Sequence, residues 1–312
     1  MVYHTSATLG GDGFQMNGVE CPETIIFVHL PKCGGTTLNR LTEWEYSPSK
    51  VFSIDPSFFK WSYRRLQKSS PARLARLKVI QGHMPFGIHK ILKQKATYIT
   101  VLRDPVDRGI SEYYYALSRV AHPQHRMMKR LTLDKYIEMT PYANVQTKLL
   151  AGQDPGYDFL GGDCTEETLE LAKSNLANYF TLIGLTERFD ETLALAKILF
   201  GWQIRNYAHF NVTKIRPEKD EVPTEIRDAI AQRYCYDVRL YEYAVGLFNE
   251  KLAQYSGRVQ DELRRISAAR SPLAAESYFR SASAVRKAIS RIHSYMLTFP
   301  SSRSAAPAST VS

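Results

Sequence analysis

Lys32, Gly34, Gly35, Thr36 and Thr37 fall within six residues, between an apolar run at 25–30 and a return to helical spacing through Thr37, Leu38 and Leu41. A glycine pair lets the backbone turn sharply and aim N–H groups at one point, and a helix N-terminus favours negative charge there. Lys32 adds a formal cation and the threonines add hydroxyl donors. Together they suit a phosphate. The bland alternative is a turn with a solvated lysine beside it, since Gly-Gly pairs are common punctuation. The setting favours the cradle: 25–30 is short, β-branched and aromatic, and is bounded by Pro31, as a buried parallel strand would be.

A second anion grip is offered by "ATYITVLRDPVDRGISEYYYAL", residues 96–117. The run 96–102 reads as another buried strand with Arg103 at its end, and Pro105 is placed to open a helix. Ser111, eight residues past Arg103, falls one to two turns into that helix. An arginine fork and a facing hydroxyl can hold one phosphate from two sides. Taken singly, Arg103 could instead pair with Asp104 at a helix start, leaving Ser111 exposed. The two motifs in this order point to one ligand with two phosphates.

A nucleoside-triphosphatase loop needs its lysine after the last glycine, whereas Lys32 precedes both. The order P-K-x-G-G-T-T-L after a strand resembles the 5′-phosphate-binding loop of sulfotransferases that use 3′-phosphoadenosine 5′-phosphosulfate (PAPS). Further blocks extend the likeness: "QGHMPFGIHK" (81–90), "NVQTKLLAG" (144–152), "IGLTERFDETL" (183–193) and "NVTKIRP" (211–217). From about residue 25 to about 248 the chain resembles the carbohydrate sulfotransferase family that includes the heparan sulfate 2-O-sulfotransferases.

That resemblance implies a P-loop-like three-layer α/β fold and transfer of a sulfuryl group from PAPS to a hydroxyl, with no metal. His83, the histidine of the G-H block, takes the role of base, which an imidazole titrating near neutrality suits. Lys32 would stabilise the oxygen between phosphate and departing sulfate. Lys32, Gly34, Gly35, Thr36 and Thr37 would hold the 5′-phosphate, and Arg103 and Ser111 the 3′-phosphate. The acceptor would be a saccharide or glycoconjugate. Asn144, Gln146 and Lys148 could contact it or equally cap a helix, and Arg188 and Arg216 are candidates for nucleotide or sugar contacts.

Three positions depart from the family pattern. Gln81 stands where vertebrate 2-O enzymes carry a second histidine, and Cys33 where threonine or serine is usual. Leu41 occupies the place of a glutamate found in some related enzymes, with Glu43 the nearest acid. His29, His89 and His209 are read as structural. Two rival functions remain: a kinase-like phosphotransferase, which would want acidic magnesium ligands, and a nucleic-acid binder using the basic tail, although no nucleic acid is expected as partner.

These residues need a scaffold. Strands are expected at 25–30, 78–82, 98–102 and 181–185, and helices at 105–120, 133–139, 166–177, 189–200 and 236–252, the last with Tyr241, Val245 and Phe248 as its buried face. Alternation of strands and helices implies right-handed crossovers and a parallel sheet. Lys32, His83 and Arg103 then share the carboxyl edge, where open α/β sheets bind ligands.

The 312 residues suffice for one α/β domain at 24–252, preceded by a loose leader (1–23) and followed by a basic helical extension (253–298) and a disordered tail (299–312). Net charge is +10, but residues 251–312 hold ten Lys or Arg against three acids, a net +7, which leaves +3 for the first 250 residues. Bulk charge therefore says little about an acidic substrate. Around 274–297 an apolar stripe (Val285, Ala288, Ile289, Ile292, Met296) beside Arg286, Lys287 and Arg291 could pack on the core, lie on an anionic membrane or meet a protein partner. Cys21, Cys33, Cys164 and Cys235 form no C-x-x-C pair, so neither zinc nor a disulfide framework is suggested. With no long apolar run and no signal-peptide pattern, a soluble bacterial cytoplasmic protein is expected.

Overall fold

In the computed structural model, the described residues are 15–16, 19–20, 24–55, 58–120, 122, 124–152, 162–204 and 216–268. His209, the sequon 211–213, the tail stripe at 285–296 and all but four residues of the leader lie outside them. A short antiparallel ribbon, Gln15–Met16 (β1) with Val19–Glu20 (β2), comes first. The main sheet has five parallel strands: Thr24–Val28 (β3), Val51–Ile54 (β4), Val79–Gly82 (β5), Ala96–Leu102 (β6) and Phe180–Leu185 (β7). Their order is β4-β5-β3-β6-β7, with Ile26 level with Ile80 on one side and Tyr98 on the other.

Every residue of β3 and β5 is buried. Helices cover both faces of a parallel sheet, so its central strands need apolar side chains in both directions. The edge strand β4, "VFSI", instead alternates, with Phe52 and Ile54 buried and Ser53 exposed. No strand was expected there, because four residues with a serine inside carry little strand signal.

The helices are Gly35–Glu45 (α1), Phe59–Gln67 (α2), Pro71–Ala75 (α3), Pro105–Ser118 (α4), His125–Met128 (α5), Leu133–Met139 (α6), Val145–Ala151 (α7), Glu166–Tyr179 (α8), Phe189–Phe200 (α9), Thr224–Arg233 (α10), Cys235–Gln254 (α11) and Ser256–Ala268 (α12). A smaller core of Ile110, Tyr113, Tyr136, Ile230 and Tyr234 joins α4, α6 and α10 beside the main sheet core. In α11 the buried face is Asp237, Leu240, Ala244 and Phe248, one position round from the expected Tyr241 and Val245, which are only partly covered. Helix α12 packs on α9 through Val259 and Ile266, with a Lys197–Glu262 ion pair, so the basic extension starts as part of the main core.

Two helix starts hold each other. The Asn144 carboxamide oxygen accepts from the backbone N–H groups of Tyr236 (3.1 Å) and Asp237 (3.0 Å) at the head of α11. Asp237, fully buried, in turn accepts from the N–H groups of Gln146 (3.3 Å) and Thr147 (2.8 Å) at the head of α7. Each side chain satisfies donors that a helix leaves unpaired. Among the described residues no helix is long and apolar enough to cross a membrane.

Candidate active site

β3 ends at Val28, and the chain turns through Pro31, Lys32, Cys33 and Gly34 into α1. Lys32 has φ 64° and Gly34 φ 71°. A lysine in the left-handed region is strained, and an alternation of hands is the backbone pattern from which an anion-binding nest can be built. The N-cap of α1 is Gly34, which has no side chain to cap it, and the first turn holds no acid. Gly35 has a separate reason to be glycine: a Cβ there would sit 2.1 Å from His29 Cδ2 and 2.5 Å from its Nε2.

The two segments expected to bind phosphate meet directly. Arg103, at the end of β6, donates from Nη1 to the Lys32 carbonyl at 3.0 Å and from Nε to Asp107 Oδ2 at 2.8 Å. Asp107 also receives Arg216. These guanidiniums hold the Asp107 carboxyl below its usual range against the upward pull of burial, which is the largest single effect on it. Ser111 lies one turn beyond Asp107 on α4 and is buried, so it shares that face. Gln146 fixes the arrangement from α7: its Oε1 accepts from the Arg103 N–H at 3.0 Å and its Nε2 donates to the Arg103 carbonyl at 3.0 Å. The same Oε1 receives the Cys33 thiol at 3.4 Å. Cys33 is 1 % exposed, and burial pushes its pKa far up, so the helix-start thiol is inert rather than acidic.

Lys32 Nζ stands 3.5 Å from the centroid of the Tyr115 ring on α4. Burial lowers its pKa to about 8; Glu112 opposes that shift, and Arg103 and Arg119 add to it. Glu112 is thus an acid of the site that sequence reasoning missed. It receives Arg108, which is wholly buried, at 2.6 Å.

His83 directly follows β5. Its Nδ1–H donates to the His29 carbonyl at 2.6 Å. A carbonyl only accepts, so the proton is on Nδ1 and Nε2 keeps its lone pair. The His29 ring lies 4.1 Å from that of His83 and 5.5 Å from Phe27, and its Nδ1 accepts from Asn39 Nδ2 at 3.0 Å. Burial first, then the charges of His83 and Lys32, hold His29 well below the ordinary imidazole range. Burial also lowers His83, with the His29 carbonyl and Asp55 opposing. Both imidazoles are therefore neutral near pH 7. Nothing in the spacing of His29 and His83, 54 residues apart, foretold this contact.

Gln81 is fully buried and ties α1 to the sheet edge: it receives Thr42 on its Oε1 and donates from Nε2 to Glu43 at 2.8 Å and to Ser53 at 3.3 Å. It replaces a histidine of the 2-O enzymes with a structural clamp that also holds Glu43. His89 is bound by the Tyr98 hydroxyl at 2.7 Å.

Of the acceptor candidates, Arg216 joins the Arg103–Asp107 cluster and the others do not. Arg188 pairs with Glu191 and donates to Asn249 at 2.5 Å, joining α9 to α11. Asn144 caps α11, and with Lys148 it borders a different cavity, of about 880 Å³, shared with Cys164, Arg233 and Cys235. No residue of the Lys32–Arg103–His83 group lines that cavity.

Residues 44–303 match the model of the galactose-3-O-sulfotransferase family, a span that begins past the glycine loop and includes His83 and Arg103. Mouse galactosylceramide sulfotransferase is 27% identical over 218 residues, covering 64% of this chain and 48% of that protein. Human galactose-3-O-sulfotransferase 3 is 24% identical over 211 residues, 62% of this chain and 48% of its own length. A fruit-fly heparin sulfate O-sulfotransferase is 24% identical over 281 residues, covering 78% and 76%. The chain thus spans about half the length of the mouse and human relatives. These relatives are animal proteins and lend no support to the expected bacterial, cytoplasmic origin. A solved mouse sulfotransferase complexed with PAP aligns over 73% of this chain and 91% of its own at 14% identity and a TM-score of 0.32, too distant to bear on the site. The expected kinship with carbohydrate sulfotransferases holds, and the chain belongs to the galactose-3-O-sulfotransferase family.

Proposed function

We propose that the protein transfers the sulfuryl group of PAPS to a hydroxyl of a saccharide or glycoconjugate. The observation that supports this reading is the 3.0 Å bond from Arg103 to the Lys32 carbonyl, which joins two segments 71 residues apart that each read as an anion grip. The turn at Lys32–Gly34 and the glycine N-cap of α1 suit the 5′-phosphate. Arg103, Arg216 and Ser111 suit the 3′-phosphate: three of the five guanidinium donors of Arg103 serve Asp107 and Lys32, which leaves capacity for an anion. The relatives named for galactose, galactosylceramide and heparin support a sugar as acceptor.

PAPS supplies the sulfuryl group and departs as adenosine 3′,5′-bisphosphate. His83 Nε2 takes the acceptor's proton as its oxygen bonds to sulfur, and the Nδ1–H bond to the His29 carbonyl keeps that nitrogen available. Lys32, protonated below pH about 8, offers its ammonium to the oxygen on which charge collects as the sulfur–oxygen bond breaks. His83→Ala should lose about 10²–10⁴ in turnover and bind adenosine 3′,5′-bisphosphate as before. Arg103→Ala should lose the nucleotide. Retained turnover in the first variant refutes the base, and absence of calorimetric heat with adenosine 3′,5′-bisphosphate refutes the function.

A further inference from the structure

Among the described residues, Tyr115 belongs to neither hydrophobic core, although Tyr113 lies in the smaller one and Tyr114 and Leu117 pack against it. The Tyr115 ring keeps company with cations instead. Lys32 Nζ lies 3.5 Å and the Arg119 guanidinium carbon 4.6 Å from its centroid, and the His122 ring meets it edge-on at 5.7 Å. A ring face attracts such charges through its quadrupole, more strongly where water is kept away, and Lys32 is partly buried.

Asp107, Ser111 and Tyr115 follow Arg103 at successive steps of four, so they lie along one side of α4. Lys32 is consequently held at two points by a single strand–helix unit: Arg103, ending β6, donates to its carbonyl at 3.0 Å, and Tyr115, on α4, takes its ammonium. Ser111 stands between those anchors in sequence. The unit read as gripping one phosphate thus also sets the lysine read as serving the other. We propose that Tyr115 is a positioning residue for sulfuryl transfer: its ring fixes the Lys32 ammonium and favours its charged form, so that the cation is in place when charge collects on the departing oxygen. A ring face covers one side of an ammonium and leaves N–H hydrogens for that oxygen. The other groups around Lys32 divide. Glu112 and Cys33 favour its charge, while burial, the strongest influence, opposes it together with Arg103 and Arg119. Its charge in turn reaches His29 and His122. A ringless residue at 115 therefore leaves burial with one counterweight fewer. The contact is read from geometry; its part in turnover rests on the sulfuryl-transfer reading.

The test measures Lys32 itself. Trace acetic anhydride acetylates only unprotonated amines, so the pH dependence of Lys32 labelling, followed by peptide mass spectrometry on the full chain, reports its proton without calling on activity. Wild type is compared with Tyr115→Phe, which keeps the ring, and Tyr115→Leu, which removes it while staying apolar; Tyr115→Met takes the place of the latter if circular dichroism shows it unfolded. Lys32 should titrate lower in the ringless protein by about 0.4–1.5 pH units, the shift to which a cation–π attraction corresponds, and Tyr115→Phe should restore the wild-type titration. The alkaline limb of kcat/KM should move down by the same amount. Equal titration in wild type and the ringless variant overturns the proposal, as does a shift of the same size in Tyr115→Phe, which would assign the effect to the hydroxyl. A lower kcat with an unmoved alkaline limb also overturns it, by reducing Tyr115 to a structural part. If the titrations differ as expected but adenosine 3′,5′-bisphosphate does not bind, the transfer reading fails and the ring's hold on Lys32 stands.

Discussion

Gly35→Ala isolates the contact between the glycine loop and the histidine pair. The added Cβ would lie 2.1, 2.5 and 2.8 Å from three atoms of the His29 ring, against the 3.0 Å that real Cβ atoms keep. The ring has little room to yield, being held by Asn39 at 3.0 Å and flanked by Phe27 and His83 at 5.5 and 4.1 Å. Overpacking of this kind costs about 1–3 kcal/mol. Alanine is otherwise a better helix residue than glycine by up to about 1 kcal/mol. The net loss in the wild-type background should therefore be about 0–2 kcal/mol, and in a His29→Ala background the same change should be neutral or stabilising. Urea unfolding of the four proteins gives the coupling directly, expected at about 1–3 kcal/mol. A coupling within about 0.5 kcal/mol of zero refutes the claim that His29 dictates glycine at position 35. Turnover should fall further than stability, since a displacement near 1 Å at a catalytic group can cost about a hundredfold.

The pH profile of kcat/KM should be a bell. Its acid limb lies below the ordinary imidazole value of 6.5, because His83 must be neutral to act and burial lowers its pKa, and its alkaline limb lies near 8, where Lys32 loses its proton. Lys32→Arg should abolish the alkaline limb in whatever activity remains; a limb unchanged in position assigns it to another group. Asp237→Ala strips the head of α7 of its acceptor and leaves Arg108 buried with one carboxylate fewer, so unfolding free energy should drop by about 3–5 kcal/mol. A loss under about 1 kcal/mol in denaturant would contradict that role. Iodoacetamide followed by peptide mass spectrometry should label exposed Cys235 in the native protein and Cys33 only after denaturation.

Periodicity located the buried central strand and several helices with a sustained apolar face. The run 25–30 became β3 within two residues at its C-terminal end, and 189–200 and 133–139 are helices with the expected bounds. Edge strand β4 and helix α10 escaped because they bury few apolar residues, and α2 was missed although Phe59, Tyr63 and Leu66 keep helical spacing on its inward side. At the site, Lys32 and Arg103 could be placed from motif order, since parallel topology sends both strand ends to one edge. The contacts made by Gln146, Glu112, His29 and Asp237 span 43 to 113 residues of sequence or depend on helix rotation, and no local spacing encodes them. Gln146 carried the weakest signal of all: a polar residue that is 0 % exposed inside a short, otherwise ordinary helix.

The crossed caps between α7 and α11 have a dynamic consequence. Neither helix can fray from its first turn without stripping the other of its acceptor, so their amide protons should exchange with solvent in one concerted opening rather than from the ends inward. Because Gln146 rides on α7 and grips the backbone of Arg103, that opening would also release the arginine. Occupation of the nucleotide site should therefore slow deuterium uptake at the start of α11, a segment with no part in the anion cluster.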